Sequence, residues 1–340
     1  MARSFHLRLV WLASAIIFLS GTALAQEEKE AHRVFEYVVE SASGDVDAIA
    51  TSIKTAALQS GWETLTTISS GVPDGCSYDN RVLILHGPAF ADKLMDANRT
   101  TAPFALVDRI NIFEDENGTH VSVVNPQSIM RTVLMDDPAY EQLAATHLQD
   151  LRAMILSAVE GDESDRAYGQ RRKRGHIGKT MGVMAGGKFS KKIQDKVVVP
   201  GGDLNDVVLK VREGLSVDGP KWGLKLAYEL PMPKYDVVVF GTTSPAMESK
   251  SFSIVKAGSD KARKAYSCPG LAHAGAYPLE VVVTKTGEDV HVQFVDAMYR
   301  MKMYFEDAGK MAFMKNMTMP GSLADELRDQ IRSRFDEFSQ

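Results

Sequence analysis

The sequence has few of the residues from which common catalytic and metal sites are built. Its 340 residues include only two cysteines and eight histidines, and the H-E-x-x-H, G-x-S-x-G and C-x-x-C patterns do not occur. A net charge of −5 argues against a dedicated nucleic-acid binder, because such a protein needs a basic face to release phosphate counterions. We therefore predict no catalytic residue, no resident cofactor and no nucleic-acid partner.

Long hydrophobic runs are missing except at the N-terminus. There, Arg3 and Arg8 precede or border the apolar stretch Leu9–Leu19, and an Ala-Leu-Ala sequence follows, of the small-x-small type that signal peptidases cut. The stretch is shorter than the roughly 20 residues of a membrane-spanning helix. We predict a signal peptide over residues 1–25, cleavage before Gln26, and a periplasmic protein without a transmembrane span; an uncleaved anchor is the alternative.

The two cysteines gain a possible structural role in an oxidising compartment. Cys76 and Cys268 can form a disulfide there. Pairing requires their Cα atoms to lie within about 7 Å of each other, and the sequence does not test that condition. Both a disulfide and two separate thiols therefore remain open.

Two segments of the chain follow the same pattern in the same order. Each has a Gly-Asp pair, a helix with one apolar stripe, a tryptophan, a β-branched strand, a hairpin and a final amphipathic helix. The stripe of the first helix is Val46, Ile49, Ile53 and Ala57 in one segment, and Leu204, Val207, Val211 and Leu215 in the other. This order predicts an α+β fold made of two β-α-β-β-β-β-α repeats, each an antiparallel sheet with helices packed on one face.

The repeats are placed at residues 32–160 and 194–338. Between them, residues 161–193 are rich in glycine and contain the basic run Arg171–Arg174 together with Lys188, Lys191 and Lys192. Runs of like charge are usually solvated. We predict a basic, glycine-rich linker, with a docking strip for an anionic partner, either an acidic protein or a lipid surface, as the alternative.

Several turns and strands resemble a known family, the domain of unknown function family numbered 302. They are Val82–Leu85 leading into Gly87-Pro88, the hairpin Ile110–Val124, and Asn125-Pro126; Tyr277–Val283 is similar to the family's step into that hairpin. The resemblance implies a fold similar to the TATA-box-binding-protein class, a curved antiparallel sheet with helices on its concave side. Because members are often homodimers, it also implies a tandem pseudo-dimer. It implies no activity and no catalytic residue.

Methionine is concentrated near the C-terminus. Seven of the 16 methionines are Met298, Met301, Met303, Met311, Met314, Met317 and Met319. Thioether sulfur is a soft ligand that selects Cu(I), but methionine at helical spacing is also ordinary core filler. The segment is therefore a candidate soft-metal site with core packing as the competing interpretation.

These observations favour an exported, non-enzymatic binding or interaction protein with an unknown small ligand or protein partner. The first alternative is a periplasmic protein that handles Cu(I) through the methionine-rich segment. The second is an enzyme of unknown type centred on the second repeat, which has the longer inserted loop and Cys268.

Overall fold

The computed structural model describes residues 31–135, 137–178, 185–258 and 265–336. The predicted signal peptide, residues 1–25, lies outside these ranges. Within them, every helix is too short or too polar to cross a membrane.

The first half of the chain is an α+β unit built on one antiparallel sheet. Its elements in chain order are β1 (His32–Ala42), α1 (Val46–Gln59), β2 (Glu63–Ile68), β3 (Asn80–His86), α2 (Pro88–Ala97), β4 (Asp108–Asp115), β5 (Gly118–Val124), α3 (Pro126–Val133), α4 (Ala139–Leu156), β6 (Asp162–Glu163) and β7 (Ala167–Arg172). The strand order is β2-β3-β4-β5-β1, and β6 and β7 pair with the outer side of β1.

The second half arranges its strands in the same succession. Its elements are β8 (Ile193–Val199), α5 (Leu204–Leu215), β9 (Lys225–Met232), β10 (Val237–Thr243), α6 (Pro245–Lys256), β11 (Leu279–Thr286), β12 (Asp289–Val295), α7 (Ala297–Phe305), α8 (Lys310–Lys315) and α9 (Thr318–Asp336). The sheet order is β9-β10-β11-β12-β8, with antiparallel neighbours throughout. The predicted α+β class with antiparallel sheets is confirmed.

The helices α2 and α6 were not predicted. The predicted β-α-β-β-β-β-α order has no helix between β3 and β4 or between β10 and β11, whereas a helix begins there at Pro88 and at Pro245. Proline suits the first helical position, because its fixed φ is already helical and its missing N–H has no partner there anyway. In α2 only Ala91, Leu94 and Met95 are buried, so the apolar stripe is too short to indicate a helix.

The two faces of the first sheet pack against different layers. Leu83 and Leu85 point to one face, where they meet Ile53 of α1 and Leu151 of α4 in one hydrophobic cluster. Val82 and Ile84 point to the opposite face, as the two-residue period of a strand requires, and join a cluster that includes much of the second half. Helices α1 and α4 thus pack on one face of this sheet, and α2, α3 and the second half pack on the other.

The contact between the halves is polar as well as apolar. The Asn111 side-chain amide of β4 donates to the carbonyl of Leu271 at 2.8 Å, and Phe35 of β1 packs edge-on against His273 with ring centroids 5.1 Å apart. Cys76 and Cys268 form a disulfide, their Cα atoms 5.8 Å apart. Of the two readings left open above, the disulfide is the one observed, and it joins the halves.

The segment predicted as a basic linker is partly sheet. Asp162–Glu163 and Ala167–Arg172 pair with β1, so this stretch is an extension of the first sheet, and the prediction of a solvated linker is wrong here. The Arg172 guanidinium is buried, donates to the carbonyls of Lys302 and Met303 at 2.8 and 3.0 Å, and pairs with Glu306 at 3.0 Å. The strand was missed because the charge of the basic run is typical of a solvated segment. Its pairing depends on β1, which is distant in the chain: His32 pairs with Arg172, over a hundred residues later.

One carboxyl group is buried at the contact between the halves. Glu248 of α6 accepts hydrogen bonds from the backbone N–H of Gly71 at 2.6 Å and from the Thr243 hydroxyl. Gly71 lies so close to Pro245 that a Cβ at this position would overlap the proline backbone. Burial raises the pKa of Glu248 to about 7, although both hydrogen bonds act in the opposite direction.

Candidate functional site

The methionine-rich segment is divided between buried and exposed positions. Met303 and Met319 are buried, Met298 and Met301 are half-buried, and Met311, Met314 and Met317 are exposed. The seven side chains therefore occupy different environments rather than one surface. In the ranges that the structure describes, no group of three or more His, Cys, Asp or Glu side chains is placed to hold a metal ion.

A small apolar cavity lies between the second sheet, α7 and α9. Its volume is about 40 Å³, and its walls include Met301, Leu323 and Leu327, with Arg300 and Glu280 as polar groups. Pockets that bind organic ligands are usually about 300–1,000 Å³. This cavity is therefore a packing defect of the core, with room for water at most.

The first half contains a much larger open groove. It has a volume of about 860 Å³ and runs between the end of α1, the start of α2 and the length of α4. Helix α4 contributes one face, because residues spaced by three and four positions lie in line along a helix. Among the lining residues are Trp62, Phe90, Lys93, Leu143, His147 and Asp150.

A buried hydrogen-bonded group forms the floor of this groove. The Trp62 indole N–H donates to Oδ2 of Asp108 at 2.9 Å, and Nε2 of His147 lies 2.7 Å from Oδ1 of the same carboxylate. His147 and Asp108 expose only 4 % and 8 % of their surface. The three residues come from the end of α1, the start of β4 and the middle of α4, so their meeting depends on the packing of both helices on the sheet.

Asp108 is held in its ionised form. Burial alone would raise its pKa, but the charge and hydrogen bond of His147, the hydrogen bond of Trp62 and the charge of His86 together lower the pKa below its ordinary value. An ionised carboxylate only accepts hydrogen bonds, so Nε2 of His147 carries the proton that it donates to Asp108. The second nitrogen, Nδ1, makes no hydrogen bond with any described residue, and His147 lines the groove.

The imidazole ring is also fixed from the side. Phe90 of α2 stacks on His147 with ring centroids 3.4 Å apart and planes within 4° of parallel. Gly87, just before α2, leaves space for the tryptophan, because a Cβ at this position would lie 3.1 Å from the indole nitrogen of Trp62. The imidazole ring is thus held by Asp108 at one edge and by Phe90 on one face, and it lines the groove.

The tryptophan of the second half has different partners. The Trp222 indole N–H donates to the Ser322 hydroxyl at 3.1 Å. Its backbone N–H, together with those of Lys221 and Leu224, donates to the buried carboxylate of Glu326 at 2.7–3.1 Å. Glu326 thereby anchors this loop to α9. The region of the second half that corresponds to the floor of the groove therefore has a structural role.

The sequence did not identify Asp108 or His147 as site residues. Trp62 was noted only as a repeated feature, and no motif links positions 108 and 147. One signal was present: His147 immediately precedes Leu148 in the buried stripe of α4, and a polar residue on an apolar helix face needs a partner when it is buried.

The first half is thus an α+β domain with α1 and α4 on one face of an antiparallel sheet and a groove beside them. Residues 37–158 match a family model described as Domain of unknown function DUF302. The predicted resemblance is confirmed for these residues. The second half lies outside the match, so its descent from the same domain stays a prediction.

A search of curated proteins finds no match to the chain. Among solved structures, the crystal structure of an uncharacterized conserved DUF302 protein from Bacillus stearothermophilus is similar, with 19% sequence identity and a TM-score of 0.32; the match covers 37% of this chain and 98% of that one.

Proposed function

We propose that the protein is an exported, non-enzymatic binding protein that holds a small organic ligand in the groove of its DUF302 domain. The observation that carries the proposal is His147, whose ring is fixed by Asp108 and Phe90 while Nδ1 makes no hydrogen bond within the described chain. A polar atom on a groove wall that no described protein group satisfies is open to a partner from solution. A rigid ring nitrogen at the edge of an open groove is accordingly a recognition group for a molecule from solution.

The other lining residues indicate the size and character of this ligand. The groove volume of about 860 Å³ lies in the range of small-molecule sites. Trp62, Phe90, Leu143 and Met154 supply apolar surface, and His147 supplies a polar anchor. This combination fits a molecule with an apolar body and a single polar group.

Export is supported by the N-terminal leader and by the disulfide between Cys76 and Cys268, since disulfides persist in oxidising compartments. We expect the intact mass of exported protein to correspond to a chain that begins at Gln26. A mass that retains the first 25 residues would contradict cleavage and with it the soluble periplasmic form.

Native mass spectrometry of the purified exported protein tests the binding proposal. We expect the wild-type protein to carry an organic adduct, and the His147→Gln variant to lose it. His291→Gln is the matched control, because His291 is a half-exposed strand histidine of the second half beside Asp195, at 3.3 Å. If no adduct is present, and neither the wild-type protein nor the control binds any compound from a periplasmic small-molecule extract, the groove is not a ligand site.

A second candidate function, the handling of Cu(I), is favoured by one observation. Met311, Met314 and Met317 are exposed at three-residue spacing, and Met311 exposes 65% of its surface. Three accessible thioethers would suit a soft monovalent ion. If the protein binds Cu(I) through these three residues, replacing all three by leucine should abolish any Cu(I)-dependent rise in the melting temperature. The absence of such a rise in the wild-type protein would refute it.

A further inference from the structure

We infer that the ligand of the groove is an uncharged molecule that donates a hydrogen bond to Nδ1 of His147, with an alcohol as the simplest case. This inference rests on the proposed function of the groove as a ligand site and names the chemical class that the site recognises.

The hydrogen bonds of Asp108 decide which nitrogen of the imidazole carries the proton. Oδ2 of this carboxylate accepts the Trp62 indole N–H at 2.9 Å, and Oδ1 lies 2.7 Å from Nε2 of His147. An ionised carboxylate only accepts hydrogen bonds, so the proton lies on Nε2. In the neutral ring the other nitrogen, Nδ1, then has a lone pair and no proton. A ligand that bonds to Nδ1 must therefore supply the hydrogen.

This acceptor nitrogen is open to the groove. Nδ1 makes no hydrogen bond with any described residue. It also differs from the enclosed side-chain atoms that lack a partner, such as the Tyr228 hydroxyl oxygen, because it is not among them. His147 lines the groove, and Phe90 stacks on its ring with centroids 3.4 Å apart. The groove thus presents one oriented hydrogen-bond acceptor to a molecule from solution.

The remaining lining residues favour an uncharged ligand. The charged residues of the wall are Lys93 and Asp150. They have opposite signs and are both exposed, so the wall has no net charge and water screens each of them. Trp62, Phe90 and Leu143 supply apolar surface, against which a charged group would lose part of its hydration. A hydroxyl group can donate to the acceptor nitrogen at a smaller cost of desolvation than an ammonium group.

Three probes with the same carbon ring separate the donated hydrogen bond from the apolar body: cyclohexanol, cyclohexanone and cyclohexylammonium. The full exported chain is titrated with each probe at about pH 8, above the ordinary pKa of imidazole. The NMR signal of the Trp62 indole N–H reports binding, and that of Trp222, in the second half, is the internal control. We expect cyclohexanol to bind about fivefold more tightly than cyclohexanone, which corresponds to the usual net contribution of one hydrogen bond.

Exchanging donor and acceptor at the imidazole should remove this preference. In Asp108→Asn, the amide oxygen can still accept the Trp62 N–H, and the amide nitrogen donates to Nε2 of His147, so the ring proton moves to Nδ1. Cyclohexanone, which only accepts, should then bind several-fold more tightly than it does to the wild type. Cyclohexanol can donate or accept, and its affinity should change little.

Two other variants exclude a different origin of the preference. Asp150→Asn should retain it, because Asp150 is exposed and water competes for its carboxylate; loss of the preference would make Asp150 the acceptor and would overturn the inference. Asp195→Asn is the matched control, because this carboxylate lies 3.3 Å from the His291 ring in the second half. It should change neither affinity.

The outcomes distinguish this inference from the proposed function. If the wild-type protein binds cyclohexanone as tightly as cyclohexanol, the groove does not select a donor and the inference is wrong, whether or not Asp108→Asn folds. Tighter binding of cyclohexylammonium than of cyclohexanol would show that the site selects a cation and would also overturn it. If none of the three probes binds while native mass spectrometry still finds an adduct lost in His147→Gln, the inference fails and the proposed function stands.

Discussion

Replacing Glu248 by glutamine should change the pH dependence of stability in a defined window. In the folded protein, burial raises the pKa of this carboxyl group from 4.5 to about 7, while the unfolded chain keeps the ordinary value. Between these two pH values the unfolded chain has released a proton that the folded protein still holds. The free energy of unfolding of the wild-type protein therefore falls as the pH rises through this window, and the contribution of Glu248 is fully lost above about pH 7.

The magnitude follows from the two pKa values. The interval between 4.5 and about 7, at about 1.4 kcal/mol for each pH unit, corresponds to about 3 kcal/mol. In Glu248→Gln, the amide oxygen can accept the Gly71 N–H and the amide nitrogen can donate to the Thr243 hydroxyl, so both hydrogen-bond partners are retained. The variant should then be more stable than the wild type by about 3 kcal/mol near pH 8, and equally stable near pH 4.

Urea denaturation of both proteins at several pH values measures this difference, and comparing the two proteins removes the contributions of all other titrating groups. Glu288→Gln is the control, since Glu288 is exposed in the turn between β11 and β12 and should produce no pH-dependent difference. A stability difference that is the same at both ends of the pH range would refute the reasoning, as would a variant that is less stable at every pH.

Three further changes test contacts that hold the fold and the groove. Replacing Cys76 and Cys268 together by alanine should lower the free energy of unfolding by about 5 kcal/mol, because the disulfide joins residues 192 positions apart; unchanged urea midpoints for the variant would contradict this. Glu326→Ala should cost about 3 kcal/mol, since three backbone N–H groups lose their acceptor, whereas Glu326→Gln should recover part of the loss in the same assay. Asp108→Ala should cost about 3 kcal/mol and should broaden or shift the His147 ring signals in NMR spectra, because both bonded N–H groups lose their acceptor; sharp, unshifted signals would show that Asp108 does not orient the ring.

The helices that were predicted correctly have signals within a few residues of their starts. Asp45 accepts the N–H of Ala48 at 2.8 Å at the start of α1, and Asp203 accepts that of Asn205 at 2.9 Å at the start of α5. Such a cap is decided by the local chain. The strand Ala167–Arg172 was missed for the opposite reason, because its partner β1 is distant and its basic residues resemble a solvated run.

The candidate site could not be predicted for the same physical reason. Asp108 and His147 are 39 positions apart, on a strand and a helix, and neither belongs to a spacing pattern. Their distance of 2.7 Å exists only because α4 packs on the sheet through Leu151 and Ile155. The depression of the Asp108 pKa likewise depends on neighbours that tertiary packing supplies.

Composition and local pattern were sufficient to predict the α+β class, the main amphipathic helices and the resemblance to the DUF302 family, because each of these depends on residues close together in the chain; the leader that the same pattern indicates stays a prediction. The closure of the disulfide, the burial of Glu248 between the halves and the position of His147 in the groove were decided by the tertiary structure alone. Each requires side chains from distant segments to meet within a few ångströms, and that distance is set by how whole helices and sheets pack.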